Sequence, residues 1–238
     1  MTEPVRPPSP STWQVAEVVA AWPEAAAART LRFHLPEPMV FLPGQHFDVR
    51  LTAPDGYQAE RSYSAASAPD PTGTAIELTI QRLADGEVSP YLCDVVDAGD
   101  QVELRGPIGG YFVWRGQAPV LLIGGGSGFV PLMSILRHIR STAPDTPVRA
   151  LVSVRTPADL LYAGELGDDV NLRYTRAAPP GWPEAPRRIA SEDIADAAFD
   201  EGPAFICGPT GFVDHVADLL LEAGYPPERI LTERFGPT

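Results

Sequence analysis

The sequence predicts two domains: an antiparallel β-barrel, then a doubly wound α/β domain built on a parallel sheet. Three observations predict this. The first half alternates apolar and polar residues with a period of two between frequent turns, the second half alternates continuous apolar runs with amphipathic helical stretches, and the pattern changes near Gly116. Period-two alternation marks half-buried strands, and many short ones suggest a small barrel. Apolar strands separated by helices mean a parallel sheet covered on both faces. The expected division is a flexible tail rich in Pro, Ser and Thr over 1–12, a barrel over 13–115 and an α/β domain over 116–238.

In the first half, Trp13 to Ala20 and Thr30 to Leu35 are strand candidates. Pro43-Gly44 turns the chain into His46 to Leu51, where Phe47, Val49 and Leu51 alternate with His46, Asp48 and Arg50. Ile76, Leu78 and Ile80 alternate in the same way, and Asp55-Gly56, Pro71-Thr72-Gly73 and Ala98-Gly99-Asp100 supply turns. In the second half, Ala118 to Ile123 and Ala150 to Val154 read as buried strands. Between them Leu132, Ile135, Leu136 and Ile139 fall on one helical face. Thr156-Pro157-Ala158-Asp159 has the form of a capping box with Pro at the first helical position, which predicts a helix there. Asn171 to Thr175 is the next strand, and Ser191 is the expected cap of the next helix. Ala204 to Cys207 is a strand, a helix with Phe212, Val213, Val216, Leu219 and Leu220 on one stripe follows, and Ile230 to Glu233 closes the sheet. Gly224 and Pro226-Pro227 end that last helix.

Composition excludes several chemistries. Two cysteines, Cys93 and Cys207, cannot supply a four-thiolate iron–sulfur cluster within this chain, and they predict a reducing, cytoplasmic setting. No metal site is expected, because the four His are scattered. All 18 basic residues are Arg and none is Lys, so Walker-type and Schiff-base lysines are absent and Arg is the available phosphate clamp. A net charge of -13 argues against nucleic acid and anionic membranes as partners. No apolar run approaches the roughly 20 residues of a membrane span.

One segment carries chemistry by its context. Leu121-Leu122-Ile123-Gly124-Gly125-Gly126-Ser127-Gly128-Phe129-Val130-Pro131 joins a buried strand to a helix. Glycines there permit a tight turn and close approach of the backbone to a pyrophosphate, with the N–H groups of the helix start facing the anion. Gly124, Gly126 and Gly128 are therefore nucleotide-binding candidates; Pro131 stands where a third glycine is usual and is expected at the first helical position.

Four segments in order and spacing resemble the ferredoxin–NADP reductase superfamily: Arg61-Ser62-Tyr63-Ser64, Gly86-Glu87-Val88-Ser89, Gly124 to Pro131, and Cys207-Gly208-Pro209. The resemblance runs from about Trp13 onward; Pro43-Gly44-Gln45 and Gly106-Pro107-Ile108-Gly109 also fit. It is closest to single-chain bacterial reductases and to the reductase halves of oxygenase systems, without their iron–sulfur domain. It implies an FAD-dependent NAD(P)H oxidoreductase. Arg61 would pair with a flavin phosphate, Tyr63 would lie against the isoalloxazine, Ser64 would reach flavin N5, and Ser62 belongs to the same motif. Gly86, Val88 and Ser89 would hold the second phosphate of FAD at a short helix start. Cys207 would lie near the nicotinamide C4, with Gly208 and Pro209 letting the dinucleotide pass. Phe235 matches the terminal aromatic that covers the flavin in related reductases, and Glu233 beside it joins Ser64, Cys207 and Phe235 as a catalytic candidate.

The donor is expected to be NADPH rather than NADH. The second parallel strand ends Leu151-Val152-Ser153-Val154-Arg155-Thr156 with no acidic residue before Asp159, and Thr175-Arg176 follow the next strand. Ser153, Arg155, Thr175 and Arg176 are the expected holders of a 2′-phosphate, where NAD enzymes of this type usually place an acid. Electrons would then pass to a ferredoxin, a flavodoxin or an oxygenase component. A free-standing reductase of ferric complexes, quinones or oxygen, and a flavin-binding sensor without turnover, remain open alternatives. Arg82, Arg105 and Arg115 are candidates for a basic docking patch on an otherwise acidic protein.

Overall fold

The computed structural model describes residues 12–236. The expected tail, apart from Thr12, lies outside the described residues.

Six strands form one antiparallel sheet: β1 (Gln14–Ala25), β2 (Ala28–His34), β3 (His46–Thr52), β4 (Gln58–Ser64), β5 (Ala75–Gln81) and β6 (Gln101–Ile108), in the order β4-β3-β6-β1-β2-β5. A bridge between Ala65 and Leu78 draws the two edge strands together, so the sheet curls into a barrel. Phe47 and Val49 of β3 are fully buried while their neighbours are not, as their alternation requires. They join Val18, Phe33, Leu78, Ile80 and Leu104 in the interior. A short helix, α1 (Ser89–Asp94), closes one end by burying Leu92 in the same core.

Five strands form the parallel sheet: β7 (Val120–Gly125), β8 (Val148–Val154), β9 (Val170–Tyr174), β10 (Ala204–Pro209) and β11 (Ile230–Phe235), in the order β11-β10-β7-β8-β9. Helix α2 (Phe129–Thr142) covers one face, and α3 (Ser191–Ala197) and α4 (Thr210–Glu222) the other. Strand β7 serves both faces: Leu122 packs with Leu132 and Ile135 of α2, whereas Leu121 and Ile123 pack with Val213 and Val216 of α4. This explains its unbroken apolar run.

Three local expectations are corrected. The helix expected from Thr156 is only a 3₁₀ turn over Pro157–Asp159, although the capping box itself is present. Leu160 turns extended and Tyr162 adopts φ 55, because this stretch docks onto the barrel instead of continuing as helix. Ser191 does not cap α3; it is the first helical residue, and the Asp193 carboxylate accepts the N–H of Ala190 at 2.9 Å. Pro131 is the third residue of α2, not the first. It still lies in the first turn, where an N–H has no intrahelical acceptor.

Candidate active site

The strand order runs outward from β7 in both directions, toward β8 and β9 on one side and toward β10 and β11 on the other. Such a reversal leaves a crevice at the C-terminal ends of the strands. The loop after β7 meets the loop after β10 there. A Cβ on Gly128 would stand 2.2 Å from the Cys207 carbonyl oxygen, and one on Gly125 or Gly208 would strike the Phe212 ring at 2.8 or 2.7 Å. Gly126 turns the chain at φ 57. Gly128 is thus required by contact between the two loops, Gly125 and Gly208 by the Phe212 ring and Gly126 by its positive φ, and they leave the backbone of both loops at the crevice floor.

A cleft of 550 Å³ opens at this point, between the parallel sheet and the tip of the β1–β2 hairpin. It brings together Gly126, Ser153, Arg155, Thr175 and Pro209 from the sequence-predicted set. Gly124, Gly128, Cys207 and Gly208 are buried in its support, Pro131 is buried in α2, and Arg176 is exposed outside its lining. The lining also contains residues that motif reading passes over: Asp159, Arg188, Phe212 and His215. Phe212 was legible only as part of an apolar stripe. Arg188 sits on an irregular segment after β9, where no periodicity marks which side chains turn inward.

Arg155 does not stand alone. Its Nη2 donates to Asp159 Oδ1 at 2.5 Å, while Asp159 Oδ2 accepts from the Thr156 N–H and hydroxyl at 3.0 and 2.8 Å. Burial alone would raise the Asp159 carboxyl, but these donors hold it below its ordinary value.

The second cluster lies on the barrel. Along β4 the side chains alternate, so Arg61 and Tyr63 share one face and Ser62 takes the other. Arg61 is exposed and reaches within 3.9 Å of the Glu87 carboxylate, which joins the Arg61–Ser64 strand to the Gly86–Ser89 turn. Tyr63 is half-buried, and burial with the neighbouring Cys93 pushes its phenol above the ordinary range. Ser64 is 5 % exposed, and its Oγ is buried with no hydrogen-bond partner among the described residues. An orphaned hydroxyl costs about 1–3 kcal/mol unless something else satisfies it. Just beyond it, α2 clamps the strand exit: Ser134 Oγ donates to the Ser67 carbonyl at 2.7 Å and Arg137 Nη1 to the Ala66 carbonyl at 2.8 Å.

Some predicted contacts are spent on other residues of the barrel domain. The Ser62 hydroxyl donates to Asp48 at 2.6 Å, and Asp48 also takes Arg105 at 2.6 Å, so Ser62 is not turned toward a ligand on the Tyr63 face. The Ser89 hydroxyl accepts the Leu83 N–H at 3.1 Å, and the Val88 side chain is fully buried; only the backbone of that turn remains to offer. Of the three proposed docking arginines, Arg82 is paired with Asp94 and Arg105 with Asp48.

The third group lies along β10 and β11. Cys207 is fully buried and stands in register with Glu233, and Pro209 with Phe235, which is half-buried against the core. Burial, then the Glu233 charge, pushes the Cys207 thiol well above its ordinary value, which argues against a nucleophile. Burial raises the Glu233 carboxyl from 4.5 to about 7. No described helix is long and apolar enough to cross a membrane.

Comparison with known proteins agrees with both halves of this architecture. The family description "Oxidoreductase FAD-binding domain" matches residues 17–113, and "Oxidoreductase NAD-binding domain" matches residues 122–218. The chain is 31% identical over 215 residues to the propane 2-monooxygenase reductase component of Gordonia sp. (strain TY-5), covering 84% of this chain and 60% of that one. It is 29% identical over 238 residues to the ferredoxin reductase component of 3-ketosteroid-9-alpha-monooxygenase from Rhodococcus rhodochrous, covering 97% and 67%. The chain spans between 55% and 66% of the length of the propane 2-monooxygenase reductase components it matches. Among solved structures, the ferredoxin reductase in carbazole 1,9a-dioxygenase superposes with a TM-score of 0.80 at 28% identity, over 97% of this chain and 71% of that one. The Amycolatopsis cytochrome P450 reductase does so with 0.81 at 26%, over 98% and 72%. With a barrel matched to FAD binding, a parallel sheet matched to NAD binding and a crevice where they meet, the chain belongs to the ferredoxin reductase-like family of FAD- and NAD-binding oxidoreductases.

Proposed function

We propose that the chain takes electrons from NADPH onto FAD and delivers them to the oxygenase component of a monooxygenase or dioxygenase system. The observation that carries the flavin reading is Ser64: a buried hydroxyl with no partner among the described residues, at the end of the strand that α2 clamps against the nucleotide domain. It fits a flavin, whose N5 is a polar atom that such a hydroxyl can meet. FAD, when bound, supplies a two-electron acceptor that gives up its electrons singly.

The residues divide the remaining work. Arg61 offers a guanidinium to a flavin phosphate, and the backbone of the Gly86–Ser89 turn offers N–H groups to the second, which favours FAD over FMN. Tyr63 presents its ring as a flat wall. Gly126 and Gly128 let a pyrophosphate approach the backbone, Ser153 and Thr175 are assigned to the adenosine ribose, and Arg155 serves to neutralise Asp159 beside them. Cys207 keeps its thiol protonated and packs the crevice floor, and Glu233 holds a proton near neutral pH beside it. Phe235, at the end of β11, is assigned to cover the ring system. The arrangement positions the donor and excludes water, and the cofactors carry the chemistry.

NADPH is preferred because the acid in the cleft, Asp159, is already neutralised by Arg155. The oxygenase role is carried by the relatives, which are reductase components of such systems. The charge of -13, with Arg82 and Arg105 spent on carboxylates, favours an acceptor without a strongly acidic docking face. The test is anaerobic reduction of the purified flavoprotein by NADPH, followed by turnover with oxygenase components and with ferricyanide. Flavin that NADPH cannot reduce would overturn the reading. Turnover with ferricyanide and small acceptors alone would support a free-standing reductase instead.

A further inference from the structure

We propose that Arg188, which no motif singles out, is the residue that selects the donor, by gripping the phosphate on its adenosine ribose. This rests on the NADPH reading above and deepens it.

Two arginines line the cleft on the side of β8 and β9: Arg155, just after β8, and Arg188, on the segment that Arg187 ties to the end of β9. Arg155 is committed. It closes a cluster with Asp159 and Thr156 in which both carboxylate oxygens are used, at 2.5, 2.8 and 3.0 Å. Its effect on the cleft is to cancel the Asp159 charge, which would otherwise face the ligand and repel a phosphate. Arg188 has no carboxylate within ion-pair distance among the described residues, and it is exposed to the cleft.

The backbone on both sides of Arg188 is anchored. The Arg187 N–H donates to the Tyr174 carbonyl at 2.8 Å, which ties the segment to the end of β9. The Arg187 guanidinium grips the buried Asp193 at 2.5 and 2.8 Å, and Arg173 holds the same carboxylate at 2.7 Å. On the other side, the Ala190 N–H bonds Asp193 at 2.9 Å, and His215 Nε2 donates to the Ile189 carbonyl at 2.8 Å. The result is one uncommitted arginine on a rigid mount. A preorganised group of this kind loses less entropy on gripping a ligand. Its planar fork suits a terminal phosphate.

Position assigns the phosphate. The pyrophosphate belongs at the glycine loop after β7, in the middle of the sheet. Arg188 follows β9, the edge strand, and lines the same cleft as Ser153 and Thr175. In a dinucleotide fold that is the ribose side, where the 2′-phosphate of NADPH projects.

The test is calorimetric titration of the flavin-loaded protein with 2′,5′-ADP and 5′-AMP, which needs no turnover. Three proteins are compared: wild type, Arg188→Ala and the double variant Arg155→Ala with Asp159→Asn. The second variant removes Arg155 without baring a carboxylate, and Asn retains an oxygen for Thr156. The proposal expects wild type to bind 2′,5′-ADP more tightly than 5′-AMP. It expects Arg188→Ala to weaken 2′,5′-ADP by about tenfold or more, as loss of a charge-assisted contact should, and 5′-AMP by less than about twofold. The double variant should keep the wild-type ratio. An unchanged ratio in Arg188→Ala, an equal loss of both nucleotides, or a ratio abolished in the double variant would each overturn the proposal while leaving nucleotide binding intact. A wild type that binds neither nucleotide would overturn the NADPH reading as well.

Discussion

Tyr162 of the nucleotide domain donates its hydroxyl to Thr79 Oγ1 of the barrel at 2.7 Å, fully buried. Thr79 shares a hydrogen bond with Thr30 at 2.8 Å, and the Tyr162 N–H donates to Glu24 Oε1 at 3.0 Å. Arg137 lies over the Tyr162 ring at 4.8 Å and reaches Glu77 of the barrel at 3.1 Å. Polar contacts across a buried seam have strict geometry, so this network sets the angle between the two domains. Tyr162→Phe should therefore cost about 1–3 kcal/mol in urea unfolding. It should also slow flavin reduction by NADPH while leaving FAD content unchanged. Unfolding curves that superpose on wild type would contradict this role.

Ser64 gives the opposite signature. Its Oγ has no partner among the described residues, so Ser64→Ala removes an unsatisfied group. Melting temperature of the flavin-free protein should stay level or rise. Flavin reduction in stopped flow should slow by about 10- to 100-fold, the equivalent of one hydrogen bond of 1–3 kcal/mol. A fall in stability with an unchanged reduction rate would make the hydroxyl structural.

Glu233 gives a pH signature. Burial lifts its carboxyl from 4.5 to about 7, so between those values the folded protein holds a proton that the unfolded chain has lost. The neutral form's contribution is complete below about pH 4.5 and is lost as pH rises through about 7, on the order of 3 kcal/mol in all. Measured on flavin-free protein, wild type should lose stability relative to Glu233→Gln across that window. Parallel stability curves would refute the buried acid.

Neither cysteine should behave as a reactive thiol. Burial raises Cys207 well above its ordinary value and Cys93 to about 11. An aromatic disulfide reagent at pH 8 should leave both unmodified until urea is added. Rapid modification of the native protein would reopen a nucleophilic role for Cys207.

Much of this architecture is legible in the residues. The alternation of Phe47 and Val49 and the unbroken run through Leu121, Leu122 and Ile123 each report how many faces of a strand are covered, and burial is what periodicity encodes. The Arg61–Ser64 segment and the glycine loop are local, so their presence could be read directly. What was hidden is long-range. Asp159 was legible as a capping acid and not as the partner that occupies Arg155. The short turn after Thr156 looked helical because its capping box is real, and only docking of Tyr162 onto Glu24 and Thr79 ends it. Ser62 was grouped with a ligand because it stands in the motif, while its cross-strand neighbour Asp48 decides where its hydroxyl goes. Arg188 lies in an irregular segment whose inward side is set by Asp193 and His215, from elements on either side.

The most direct test of the central claim is an anaerobic spectrophotometric titration of the purified protein with NADPH. The protein should carry one tightly held, non-covalent FAD per chain, and its yellow absorbance should bleach as about one equivalent of NADPH is added, by the two-electron stoichiometry of the couple. A protein that takes up no FAD, or one whose FAD stays oxidised under excess NADPH and NADH, would contradict the account.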